Sequence, residues 1–243
     1  MSNRIDENHT GIDTKVPLIA AKLSEGLWHV DCQTRDKPNV YLVDDGGCTL
    51  VDAGWPGHDE AIRAGLDAAG FGPEDVDRVL LTHYDADHVG SLAGLTPALD
   101  APVFVHHEDA PIVAGNRLPP WTARNGLEAL HRLYYRHLTL PDLPIRPLRD
   151  GDDVGGFRAV HTPGHTPGHV VYVHEGLEAA FFGDLAFEAA GRVRTSSWLT
   201  SYDADQAENS IRKLLDRAPD FQYACPGHGP PFEHGHDRIV QLR

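Results

Sequence analysis

Two imidazoles and two carboxylates fall within the six residues His83-Tyr84-Asp85-Ala86-Asp87-His88. An apolar run of β type, Val79-Leu80-Leu81, leads into them, and a helix-like segment from Val89 to Leu95 leads away. A strand-to-helix turn has irregular backbone that can aim side chains from both sides at one point, and Asp87 stands near a helix N-terminus, where an anion is favoured. Taken singly, each group reads as a polar loop residue facing water. Three later stretches repeat the pattern: Thr162-Pro163-Gly164-His165-Thr166-Pro167-Gly168-His169, then Phe182-Gly183-Asp184 after the apolar run Ala179 to Phe182, then Pro226-Gly227-His228-Gly229 after Phe221 to Ala224. Each sets a His or Asp at a strand end and braces it with Gly or Pro. That is the ligand arrangement of a hydrolytic site with two metal ions.

With Val51-Asp52-Ala53-Gly54 in front, the ordered set Thr-His-x-x-x-Asp-His, Pro-Gly-His-Thr-x-Gly-His, Gly-Asp and Pro-Gly-His-Gly resembles the metallo-β-lactamase superfamily across residues 39 to 229. The usual signature there is His-x-His-x-Asp-His, and Asp85 replaces its second His, a variation the superfamily also contains. The resemblance implies an α/β fold, a four-layer αββα sandwich of two mixed sheets flanked by helices, with the site along one edge. It assigns His83, Asp85 and His165 to one metal, Asp87, His88 and His228 to the other, and Asp184 to a bridging place. It makes Asp52 a residue that orients ligands from beneath the turn, whereas the residues alone allow a helix or turn cap equally well. His161 and His169 read as orienting or packing groups.

The implied cofactors are two divalent ions, zinc first, with Fe²⁺ or Mn²⁺ as alternatives. Asp85, Asp87, Asp184 and a bridging hydroxide would neutralise two such ions, and a carboxylate at position 85 makes the first site harder than an all-imidazole one. The implied reaction is attack by that hydroxide on a lactone, ester or thioester carbonyl, with Asp87 the candidate to handle the transferred proton. Two other classes stay open. One is an oxidoreductase like the persulfide dioxygenases, which share this fold and use one iron, with His83, His165 and Asp184 as its triad. The other is a non-catalytic metal-binding protein.

The elements that position these groups are legible in part. Strands are expected at Leu27 to Val30, Asn39 to Val43 and Gly47 to Val51, the last two joined by the turn Asp44-Asp45-Gly46-Gly47. A helix is expected from His58 to Ala69 with Ile62, Leu66 and Ala69 inward, then the strand Val76 to Leu81 that feeds the first ligands. Pro102 to Val105 reads as a strand, and His106-His107-Glu108-Asp109 as a solvated helix start. Thr122 to Leu138 has near-helical apolar spacing between prolines and marks residues 111–153 as a helical insertion. Trp121, Arg132, Tyr134, Tyr135 and Arg136 there, with Trp198 and Tyr202 in the loop-like stretch after Asp184, are candidates for a substrate pocket, and core packing is the alternative. Strands at Phe157 to His161 and Val170 to Val173 flank the His165 loop, and Asp205 to Leu215 reads as a helix with Ala207, Ile211, Leu214 and Leu215 inward.

At 243 residues the chain can bury one large core, so residues 17–243 read as one domain behind a loose arm, 1–16. The 36 acidic against 21 basic residues leave a net charge of −15, which argues against a nucleic-acid partner, and the resemblance implies a small-molecule substrate. No apolar run nears the ~20 residues of a membrane span. The polar, acidic start reads as neither signal nor transit peptide, so a cytoplasmic protein is expected. Cys32, Cys48 and Cys225 lack a disulfide spacing and read as small buried residues.

Overall fold

Every residue of Val40-Tyr41-Leu42-Val43 is apolar, so a strand built from it needs cover on both faces. In the computed structural model, which describes residues 20–32, 38–120, 128–196 and 200–242, it has that cover. The first sheet runs in chain order through β1 (Ala20–Ser24), β2 (Leu27–Asp31), β3 (Asn39–Asp44), β4 (Cys48–Val51), β5 (Val76–Leu80), β6 (Val103–His106) and β7 (Ile145–Leu148). Neighbours from β1 to β4 are antiparallel, and those from β4 to β7 are parallel. Parallel neighbours need crossovers. Here these carry α1 (Asp59–Ala69), the single turns α2 (Ala86–Val89), α3 (Leu92–Leu95) and α4 (Ala110–Val113), and α5 (Glu128–Tyr135).

The second sheet begins with β8 (Asp153–Val154), β9 (Phe157–His161), β10 (Val170–His174) and β11 (Ala179–Gly183), all antiparallel. A separate hairpin, β12 (Ala186–Ala189) and β13 (Arg192–Thr195), and the helix α6 (Ala204–Arg217) follow. The chain then returns as β14 (Tyr223–Pro226), parallel to β11, and closes with β15 (Phe232–Glu233) and α7 (Gly235–Val240).

Three apolar layers hold this together. Leu27, Tyr41, Leu80, Phe157, Tyr172 and Phe181 fill the space between the sheets. Ile62, Leu66, Leu92 and Ile112 seal the outer face of the first sheet, and Ala207, Ile211, Leu214 and Ile239 that of the second. The layers are helix, sheet, sheet, helix, as the resemblance implied. Local chemistry sets the ends of the longer helices. Asp59 and Glu60 occupy the first turn of α1, which stops at Gly70 with φ 90°, and the Asp203 carboxylate caps α6 by accepting from Gln206 N at 2.9 Å.

The fold corrects several expectations. Val89 to Leu95 is no continuous helix: the chain turns at Gly90-Ser91, between α2 and α3, and Ser91 Oγ bonds Trp55 O at 2.5 Å. His106 is no solvated helix start. It ends β6, buried, and stacks on His161 at 3.9 Å with 10° between the rings. Residues 186–195 form the β12–β13 hairpin rather than a loop, and β7, within the expected insertion, extends the first sheet along β6. Trp121, Trp198 and the arm 1–16 lie outside the described residues. Cys32, Cys48 and Cys225 are free and buried. Among the described residues no helix is long and apolar enough to cross a membrane.

Candidate metal centre

β5 ends at Leu80, and the turn after it depends on one buried carboxylate. Asp52, just past β4 at φ 59°, accepts from Thr82 N and Thr82 Oγ1, both at 2.8 Å, and from His88 Nδ1 at 2.8 Å. Its oxygens only accept, so His88 Nδ1 carries the proton and Nε2 presents its lone pair on the far side of the ring. The Thr82 hydroxyl has spent its proton on Asp52 and therefore accepts from His83 Nδ1 at 3.0 Å. His83 is thus set in the same tautomer as His88 by a relay through Thr82. One acid orients both imidazoles.

Asp184 follows β11 through Gly183, where φ is +46° and a Cβ would lie 2.6 Å from Thr82 Oγ1 and 2.7 Å from His169 Nε2. Only glycine allows so close an approach between the two sheets. His169 Nε2 accepts from Asp184 N at 3.1 Å, and its Nδ1 donates to Thr162 Oγ1 at 2.9 Å. Burial first, then His83 and His165, holds His169 well below the usual imidazole range, so it stays a neutral acceptor. The Asp184 carboxylate spans the cluster. Its Oδ1 lies 3.2 Å from His88 Nε2, and its Oδ2 lies 3.5 Å from both His165 Nε2 and His228 Nε2.

The remaining expected ligands close around it. His165 Nε2 is 3.2 Å and His83 Nε2 3.7 Å from Asp85 Oδ2, and His228 Nε2 is 3.1 Å from Asp87 Oδ2. Three triads have donor atoms within 4.8 Å of one another: His83, Asp85 and His165; His83, His88 and Asp184; Asp87, His88 and His228. All seven expected ligands therefore meet at one place. His83, His88 and His165 lie deep, while Asp87, Asp184 and His228 are half-buried, so the cluster opens on their side.

The donor set fits divalent metal. His83 Nε2, His88 Nε2 and Asp184 Oδ1 are buried with no hydrogen bond, and the His88 lone pair faces a carboxylate oxygen. Two electron-rich atoms so placed call for a cation between them. Protons are the alternative. Burial opposes charge on His228, yet Asp184 and Asp87 push it up to about 9; Asp52, Asp184 and Asp87 likewise raise His88 against its burial. Burial would raise Asp184, but His228, His88 and His165 hold it well below the usual carboxylate range. Metal binding displaces such protons.

Two anchors escaped the sequence reading. Asn39 is buried, and its Nδ2 donates to Pro226 O at 2.9 Å and Gly229 O at 2.6 Å, gripping the loop that carries His228. Tyr41 Oη adds a bond to Pro226 O at 2.8 Å. Asp109 does the same for the His165 loop. Neither has a local signal, because each partner lies far along the chain; an Asn opening a buried strand is the faint clue in the first case. Of the pocket candidates, Tyr134 packs edge-on to Trp55 at 6.2 Å and lines a cleft of about 440 Å³ with Pro56, Gly90 and His137. Tyr135 is instead buried, its hydroxyl donating to Tyr84 O, and Arg132 donates to Pro119 O. Arg136 is exposed beside Leu118 and Leu140. Tyr202 meets the site through its backbone, Tyr202 N donating to His165 O at 3.2 Å.

The chain is similar to known proteins in sequence and in fold. The chain is 29% identical over 195 residues to the probable metallo-hydrolase YqgX of Bacillus subtilis (strain 168), covering 78% of this chain and 83% of that protein. It is 28% identical to a hydroxyacylglutathione hydrolase of Hamiltonella defensa subsp. Acyrthosiphon pisum (strain 5AT), covering 78% of this chain and 61% of that one. Among solved structures it is similar to TTHA1623 in a di-iron-bound form, with a TM-score of 0.66 and 31% identity over 86% of this chain and 96% of that one. The family model of the metallo-beta-lactamase superfamily matches residues 34–228. The chain belongs to the metallo-beta-lactamase superfamily.

Proposed function

We propose that this chain is a metal-dependent hydrolase with a two-ion centre that opens a lactone, ester or thioester carbonyl. His83, Asp85 and His165 would hold one ion, Asp87, His88 and His228 the other, and Asp184 would reach both. When bound, the ions supply two things: acidification of a water toward a pKa of ~7 and polarisation of the carbonyl. The chain supplies the rest. Asp52 keeps His83 and His88 in the tautomer that leaves Nε2 free, and His169 fixes the Asp184 backbone. Asp87, half-buried at the open side, would take up the proton released in attack and return it to the leaving group.

The reading is carried by Asp184, whose two oxygens lie against different histidines, His88 on one side and His165 and His228 on the other. The full Asp87, His88 and His228 triad supports two ions over the single iron of an oxidoreductase. The similar hydroxyacylglutathione hydrolase supports a thioester within the substrate range, and the di-iron form of TTHA1623 keeps Fe²⁺ beside zinc as the ion. The test is metal analysis of the purified chain together with turnover of a lactone, ester and thioester panel. The expected result is about two divalent ions per chain and turnover of one class that disappears in Asp184→Ala. A fully loaded protein that leaves the panel untouched overturns the reading. One iron with oxygen uptake on a persulfide moves it to the oxidoreductase class.

A further inference from the structure

Asp109 is fully buried, lies outside the ligand set, and joins two loops that bear ligands from different sheets. Its Oδ2 accepts from Thr166 Oγ1 at 2.8 Å and its Oδ1 from Gly168 N at 2.9 Å, so it grips the loop on both sides of Pro167, just after His165. The backbone N–H of Tyr84, next to Asp85, also faces this carboxyl and helps hold it down. The Tyr84 carbonyl is taken by the Tyr135 hydroxyl, so the peptide groups flanking Tyr84 are held from both sides. Gly168 is the counterpart on the loop: a Cβ there would sit 2.5 Å from Asp109 Cγ and Oδ1, so the loop approaches the carboxylate as closely as backbone can.

The pattern is asymmetric. Asp85 and His165 are partners at the first metal position, and both are tied to Asp109 through a neighbouring residue. His88 and the His228 loop depend on Asp52 and Asn39 instead, with Asp52 also reaching His83 through Thr82. Burying this carboxyl is costly in itself: burial, with the Asp85 charge adding to it, pushes it up to about 7 even though Thr166, Gly168 and Tyr84 pull it down. A threonine or asparagine could serve a purely structural bond at lower cost. A carboxylate alone offers several acceptor sites and no donor, which suits three converging N–H and O–H groups.

We propose that Asp109 is the positioning residue of the first metal position: it locks the Tyr84-Asp85 turn to the His165 loop and so sets metal affinity there without touching the metal. The proposal rests on the two-ion reading above. The test compares wild type with Asp109→Asn, which replaces one of the two acceptor oxygens with an NH2 donor and leaves one oxygen for the converging donors, and with Thr166→Val, which removes one contact and spares the carboxylate. Stepwise Zn²⁺ affinities are measured by competition with a chromophoric chelator. Amide exchange at Gly168 and Tyr84 is followed in the metal-free chains.

Asp109→Asn is expected to weaken one Zn²⁺ step about tenfold or more and leave the other within twofold, in the range seen when groups that orient ligands are changed. The loss adds to that of His228→Ala and adds nothing to that of His165→Ala, as expected of groups acting on one ion. In the metal-free chain the Gly168 and Tyr84 amides exchange faster by a common factor. Thr166→Val shows the same pattern, smaller, and stands in should Asp109→Asn not fold. Two unchanged Zn²⁺ steps, or equal weakening of both, overturn the proposal. If wild type binds fewer than two ions, the two-ion reading fails by itself, and exchange decides the rest: unequal rates at the two amides in Asp109→Asn mean that no shared lock exists.

Discussion

Asp52 occupies a left-handed backbone conformation at φ 59°, which costs a non-glycine residue about 1 kcal/mol or more and persists only where the surroundings impose it. Those surroundings are Thr82 and His88, and the expected outcome of Asp52→Ala is a 10–100-fold loss of metal affinity affecting both ions, read by the same chelator competition. A second prediction concerns His106, buried against His161 and His107 with Asp150 and Lys213 nearby. Burial first, then the two histidines, pushes it down to about 3, while an unfolded chain holds histidine near ~6.5. The unfolded state therefore binds the proton first, and stability falls as pH drops from ~6.5 toward 3. In metal-free protein, His106→Asn is expected to show a shallower loss of urea midpoint between about pH 7 and pH 5 than wild type. The candidate ligands were legible residue by residue because His83, Asp85, Asp87 and His88 crowd into six positions and His165, Asp184 and His228 each follow a Gly. Asn39 and Asp109 were not, since a residue that acts on a loop tens or hundreds of positions away leaves no trace in its own neighbours.

Strand ends carry the chemistry, so errors in elements matter where they shift an end. β11 and β14 pair in parallel with a register shift between Phe181 and Gly183, which turns Asp184 toward the cluster. Gly183→Ala is expected to cost about 2 kcal/mol or more, because the new methyl meets Thr82 and His169 and forces φ +46° on an alanine. Thermal unfolding and metal stoichiometry would fall together; a stable variant holding both ions would contradict the account. The strands β3, β4, β5, β9 and β10 were readable because apolar runs are bounded by turn residues. The hairpin β12–β13 hid because its exposed Arg192 and Arg194 and the turn Ala190-Gly191 give it the composition of a loop. β7, Ile145-Arg146-Pro147-Leu148, hid for another reason. Its proline is tolerated because β7 lies at the sheet's edge, where one side of the backbone needs no partner.

At the scale of the whole molecule, the two sheets meet between Tyr41, Tyr172 and Phe181, and Tyr172 Oη crosses the gap to Leu81 O at 3.0 Å, just ahead of the first ligand. The proposed ions would sit at the end of that same seam, held by side chains from both sheets, and would tie the layers together. With free metal about a hundredfold above Kd, one site contributes ~2.7 kcal/mol, and chelation is expected to lower Tm by about 5–10 °C in a metal-concentration-dependent way. The four-layer fold was legible because five ordered motifs fixed it by resemblance; which cleft admits substrate was not, because pocket walls follow shape rather than motif. Ligands from both sheets also have a consequence for synthesis. His83 leaves the ribosome 145 residues before His228, about 7–30 s at ordinary translation rates. On the proposed assignment the first position has all its side chains once Asp184 is made and the second only once His228 is made, so the choice of the second ion belongs to the nearly finished protein and to whatever metal the surrounding compartment offers at that moment.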